Sequence, residues 1–146
     1  ADAYRARLVE KGHDPAAFRV SAGQHTYVAS TTEAAEREFA AHYMGYMEMI
    51  AGEVDPALYA GTELERVAEG VRRSTNSASY EKMVRVNAKV GSPESVAERI
   101  CGLFDALKMD HYWSYFSLGG ISTPKLFAEM ELFAKAVTPV VRRHCG

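Results

Sequence analysis

Charge-poor runs alternate with stretches of helical periodicity three times along the chain. FRVSAGQHTYVAS, residues 18–30, carries no charge after Arg19 and is rich in β-branched and aromatic residues, as a mostly buried strand would be. Thr31 or Thr32 then offers an N-cap, and Glu33 and Glu36 sit in the first turn, where the helix dipole favours acids. Ala35, Phe39, His42, Tyr43, Tyr46 and Ile50 recur at helical spacing and predict a long helix. VNAKV, residues 86–90, reads as a short strand leading into GSPESVAERICGLF. There Ser92 is the expected N-cap, Pro93 the first helical residue and Glu94 the acid facing the positive end. Val96, Ile100, Leu103, Phe104 and Leu107 form one apolar stripe. DHYWSYFSLGG, residues 110–120, predicts a third strand closed by a tight loop. Thr123 and Pro124 open a final helix, with Leu126, Met130, Phe133, Val137 and Val140 on its buried side.

Outside these three cycles the pattern is looser. Residues 2–11 predict a short helix stopped at Gly12 and Pro15. Residues 51–78, punctuated by Gly52, Pro56 and Gly61, read as an excursion with short helices of its own, including TELERVAEGVRR, followed by the polar run STNSAS. Strand–helix alternation argues for an α/β fold of parallel strands joined by right-handed crossovers, with helices covering the sheet.

Composition narrows the function classes. With 146 residues and 47% hydrophobic content, the chain has the make-up of one globular domain. Nineteen acids against seventeen Lys and Arg leave a formal charge of −2, so no broad basic field attracts nucleic acid. No apolar run approaches the length that spans a bilayer. Two cysteines, Cys101 in a helical pattern and Cys145 beside the C-terminus, suggest neither a disulfide framework nor a metal cluster. Cys101 reads as packing and Cys145 as an exposed, dispensable thiol, and the reducing cytoplasm is the default location. His13, His42, His111 and His144 lack ligand-like spacing, so no metal site is expected. There is no GxSxG elbow and no Walker loop. The chain begins with Ala and has no Met before Met44, which suggests a processed start or a piece of something larger.

KVGSPESVAERICGLF, then DHYWSYFSLGG, then PKLFAEMELFAKAVTPVVRR resembles the C-terminal end of bacterial-luciferase-like flavin-dependent monooxygenases, and HTYVASTTEAAEREF resembles that family's strand-to-helix phrase. The likeness runs in order over nearly the whole chain and is weakest at about residues 51–80, where the family carries a variable insertion. It implies a (β/α)₈ TIM barrel of which residues 1–146 supply the last three βα units. Such a barrel needs roughly 250 residues. The expectation is therefore a fragment, a truncated product, or a chain completed by a partner or by another copy of itself, since unclosed strand edges invite pairing.

The resemblance also implies candidate site residues. His25 lies in the first strand, where the alkanesulfonate monooxygenases of the family place a histidine near the flavin, and it becomes the candidate catalytic group. A near-neutral pKa would let it bond or protonate an oxygen of substrate or flavin. The bland alternative is a core histidine bonded to a backbone carbonyl. Gly23 stands where those enzymes have an arginine, which weakens the case for a sulfonate substrate. The Gly91-Ser92 turn and the Gly119-Gly120 loop follow the last two strands, where barrels often hold a phosphate; turn and cap geometry is the alternative reading. Arg72 and Arg73 could belong to a lid over an anionic flavin, or simply to a solvated loop. HYMGYMEMI, residues 42–50, has the spacing of a helix core rather than of a cofactor box.

The implied activity is oxygenation of a small organic substrate with reduced FMN and O₂, with a flavin reductase as a candidate partner. Hydride transfer with F420 is the alternative within the superfamily. A non-catalytic α/β module that only binds flavin or self-associates is the rival from another class.

Overall fold

The computed structural model describes residues 2–76 and 79–145. Its centre is β1 (Ser21–Val28), flanked on one side by β2 (Ala88–Gly91) and on the other by β3 (His111–Tyr115), all parallel. His25 to Val28 pair with Ala88 to Gly91, and Ser21 to His25 pair with His111 to Tyr115. The expected parallel sheet with covering helices is present. Each strand is shorter than its charge-poor run, and residues 86 and 87 close the helix α4 (Tyr80–Asn87) instead of opening β2.

Strand order decides which faces are covered. The first crossover, through α2 (Thr32–Glu53), steps from β1 to β2; the second, through α5 (Pro93–Leu107), steps back across β1 to β3. Two right-handed crossovers in opposite directions must lie on opposite faces. Accordingly Tyr27 packs with Ala35, Phe39 and Tyr43 of α2, whereas its neighbour Val28 packs with Val96, Ala97 and Ile100 of α5. Three successive strands of a barrel would instead have the second in the middle.

The caps are largely those the sequence indicates. Thr31 accepts the Ala34 N–H at 3.2 Å, and Ser92 accepts that of Ser95 at 3.3 Å with Pro93 next to it. α1 (Asp2–Glu10) is tied down by Arg5, which donates to the carbonyls of Leu107 and Lys108 at the end of α5. In the excursion, a 3-10 helix at Pro56–Tyr59 precedes α3 (Glu65–Asn76). Arg99 of α5 donates to the carbonyls of Val90 at 3.1 Å and Ala88 at 2.9 Å. The carbonyl of Gly91 bonds the N–H of Ala29 and so faces β1, which turns those of residues 88 and 90 outward. Arg99 therefore closes the outer edge of β2 with a side chain.

Three expectations need correction. Cys101 and Cys145 form a disulfide, with Cα atoms 5.1 Å apart, so neither is a free thiol. Packing of the last helix against α5 brings together two residues 44 apart in sequence. The C-terminal helix is also not continuous: α6 (Thr123–Leu132) passes into a π-helical turn at Phe133–Val137 and then α7 (Thr138–His144). Pro139 has no N–H to offer Lys135, and the Thr138 N–H reaches back to Phe133, which widens the turn. Finally, Met130 is exposed and Glu129 is buried in its place. The backbone groups of even-numbered β1 residues face β3, whose pairing ends at His25, so the N–H of Val28 has no strand partner; Oε1 of the Glu129 carboxyl supplies the acceptor at 3.3 Å.

Among the described residues, no helix is long and apolar enough to cross a membrane, and no group of His, Cys, Asp or Glu is placed to hold a metal ion.

Candidate functional site

β1 carries His25 on the face covered by α2. Its ring lies among those of Tyr46 (centroids 5.1 Å apart), Tyr43 (5.7 Å) and Tyr115 (5.9 Å). Tyr115 can cross β1 because residue 23 is glycine: a Cβ there would sit 2.7 Å from the ring's Cε2. Nδ1 of His25 is buried without a hydrogen-bond partner. Burial holds the imidazole below the usual histidine range, against a hydrogen bond to the Tyr115 backbone that works the other way. The ring is thus neutral at physiological pH and has a vacant nitrogen. Tyr115 and Trp113 share this face of β3, and both are more than half exposed.

The remaining candidates do not all converge on His25. Gly120, at φ 89°, lies against α2 next to His42, whose Nδ1 would be 2.9 Å from a Cβ at that position. Tyr43, the neighbour of His42, touches His25, so the Gly119-Gly120 loop and His25 meet along the same turn of α2. Gly119 has open space around it. The Gly91-Ser92 turn sits against Thr32 at the other end of that stretch, about 16 Å away at 1.5 Å per residue. Its Ser92 N–H goes to Thr32 Oγ1 at 3.2 Å, and Ser92 Oγ accepts the Ser95 N–H as the cap of α5. Arg72 and Arg73 are exposed on α3, which packs on α2 and the 3-10 helix before it.

Two features escape sequence reasoning. A cavity of about 480 Å³ runs along the outer side of β3, lined among others by Phe104, Tyr112, Trp113, Phe116 and Phe133, and includes none of the candidate site residues. A smaller one of about 220 Å³ lies at the carboxyl end of β1, lined by Tyr27, Glu38, Lys125 and Glu129 with apolar neighbours. There Glu38 Oε2 accepts from Tyr27 Oη at 3.0 Å and from Lys125 Nζ at 2.9 Å. Burial pushes the Glu129 carboxyl up to about 8, although the Val28 N–H and Lys125 pull it down. The one signal for it in the sequence is spacing: Glu129 is three residues after Leu126 and four before Phe133, on the stripe itself. On β2, Lys89 is buried next to Arg99, and desolvation followed by that like charge lowers its amine to about 8.

The sequence matches the family model for luciferase-like monooxygenase over residues 1–111, three quarters of the chain. The protein belongs to the luciferase-like monooxygenase family. Two solved structures share the fold of this luciferase-like chain. One is the oxygenating constituent of 3,6-diketocamphane monooxygenase from the CAM plasmid of Pseudomonas putida, a type II Baeyer-Villiger monooxygenase in complex with FMN, at 24% identity and TM-score 0.57 over 94% of this chain and 38% of that one. The other is a riboflavin lyase with modified FMN and riboflavin as substrate, at 20% identity and TM-score 0.61 over 97% of this chain and 35% of that one. The luciferase-like chain thus spans little more than a third of the length of either structure. No curated protein matches it.

Proposed function

We propose that residues 1–146 are a C-terminal portion of a luciferase-like barrel with a variable insertion at about 51–80, its three strands not the successive ones that the sequence suggests, and that the completed barrel is a flavin-dependent monooxygenase acting on a small organic substrate. Support comes from the family match, from the parallel strands alternating with helices, and from the likeness in fold to the two FMN-bearing structures. The observation that carries the site is His25: a half-buried neutral imidazole with a vacant Nδ1, set among three tyrosine rings.

These residues fit a planar, hydrogen-bonding ring system better than they fit an anion. Tyr115, with its ring centroid 5.9 Å from that of His25, and Trp113 on the same face of β3 offer exposed aromatic surface, whereas the Ser92 N–H already has a partner in Thr32. FMN, when bound, would supply the electrons and the O₂ chemistry. His25 would take or give one hydrogen bond at Nδ1, and as a neutral base it would accept a proton released by substrate. Tyr43 and Tyr46 keep water from its other side and fix its orientation. The loop at Gly119-Gly120, open at Gly119 and packed on His42 at Gly120, is our choice for contact with the phosphate, with Arg72 and Arg73 as charges that could approach from α3. F420 would make the same ring contact, and His25 does not discriminate the two.

Flavin titration followed by reductase- and NADH-coupled oxygen uptake tests this reading. The account expects weak FMN binding and no turnover by the 146-residue chain alone, and turnover once the remaining strands are supplied. Turnover by the isolated chain, or none by the completed barrel, would refute it.

A further inference from the structure

The polar cluster at the carboxyl end of β1 has no part in the flavin reading, and its composition points to a ligand of its own. Glu129 is only 4% exposed; its Oε1 accepts the Val28 N–H, and its Oε2 is buried without a partner. A polar atom left this way is unfavourable unless something completes its bonding. Across the 220 Å³ cavity, Tyr27 and Lys125 both bond Oε2 of Glu38, and the Glu38 carboxylate lines the pocket. The charged and titratable groups facing Glu129 are therefore Tyr27 from β1, Glu38 from α2 and Lys125 from its own helix.

Charge balance selects the class of ligand. Two carboxyl groups face one ammonium, so an anion would meet Glu38 with no net attraction, while a cation with N–H donors satisfies the vacant Glu129 Oε2 and can share the Glu38 carboxylate. The rest of the lining is Val28, Ala29, Ala128 and Leu132, which suits a short aliphatic body. We propose that this pocket binds a small primary ammonium ion with a short alkyl tail, with Glu129 as its counter-ion and Glu38 as a second acceptor. On binding, the protonated Glu129 carboxyl gives its proton to solvent and becomes the carboxylate that pairs with the ammonium. Because the free carboxyl titrates at about 8, affinity rises with pH up to that value and levels off above it.

Calorimetric titration of the full chain with n-propylammonium chloride at pH 7, in two buffers of different ionisation enthalpy, tests the proposal. Saturable binding with release of nearly one proton is expected. Glu129→Gln should weaken binding by about tenfold or more and abolish proton release. Lys125→Met, which removes the competing cation, should tighten it, and serves as a check that does not depend on how Glu129→Gln folds. Absence of saturable binding, tighter binding of propionate, or unchanged proton release in Glu129→Gln would each overturn the proposal. None of these readouts involves flavin, so the two sites fail or stand separately.

Discussion

Tyr115 lies across Gly23 so closely that a Cβ at position 23 would approach its ring to 2.7 Å. That contact holds the Tyr115 ring beside His25. Gly23→Ala should push the ring outward, expose the imidazole to water and raise its pKa towards 6.5, since burial is the main cause of its depression. An overpacking loss of about 1–3 kcal/mol should accompany it. Titration of the His25 ring protons by NMR and urea unfolding read the two effects.

The disulfide between Cys101 and Cys145 closes a stretch of 44 residues and ties the last helix to α5. On the chain-entropy relation this restricts the unfolded state by about 4 kcal/mol. Cys101→Ser with Cys145→Ser should lower the urea midpoint correspondingly, and dithiothreitol should do so in the native chain but leave the double variant unchanged.

Arg99 occupies outward carbonyls of β2 that would otherwise present an open edge. Arg99→Met should cost about 1–3 kcal/mol through the unsatisfied carbonyls. It should also promote association, seen as faster-sedimenting species at micromolar concentration.

Glu129 sets a pH dependence whose sign is fixed. In the folded chain it holds its proton to about pH 8, whereas the unfolded chain releases it near 4.5. Between those values the folded form binds more protons, so stability falls as pH rises. The urea midpoint of the native chain should drop from pH 5 to pH 8 more than that of Glu129→Gln.

What could be read in advance follows from the range of the interactions. Caps at Thr31 and Ser92, Pro93 at a helix start and the alternation of strand and helix are set by residues within a few positions of one another, and the structure carries all of them. The disulfide, the Arg99 cap and the buried Glu129 each join elements far apart in the chain, and the rule that places charges outside favours Met130 over Glu129. Glu129 goes inward because β3 ends before it reaches Val28, and strand ends are set by pairing that local sequence does not encode. At the candidate site the position of His25 in β1 was legible. Its three tyrosine neighbours, drawn from α2 and β3, were not.

Titrating FMN with the purified chain, native beside His25→Phe, and following isoalloxazine fluorescence tests the central claim most directly. The account predicts saturable quenching at one flavin per chain that His25→Phe weakens while the far-ultraviolet spectrum stays unchanged. Quenching that does not saturate, or that is identical in the two proteins, would contradict it.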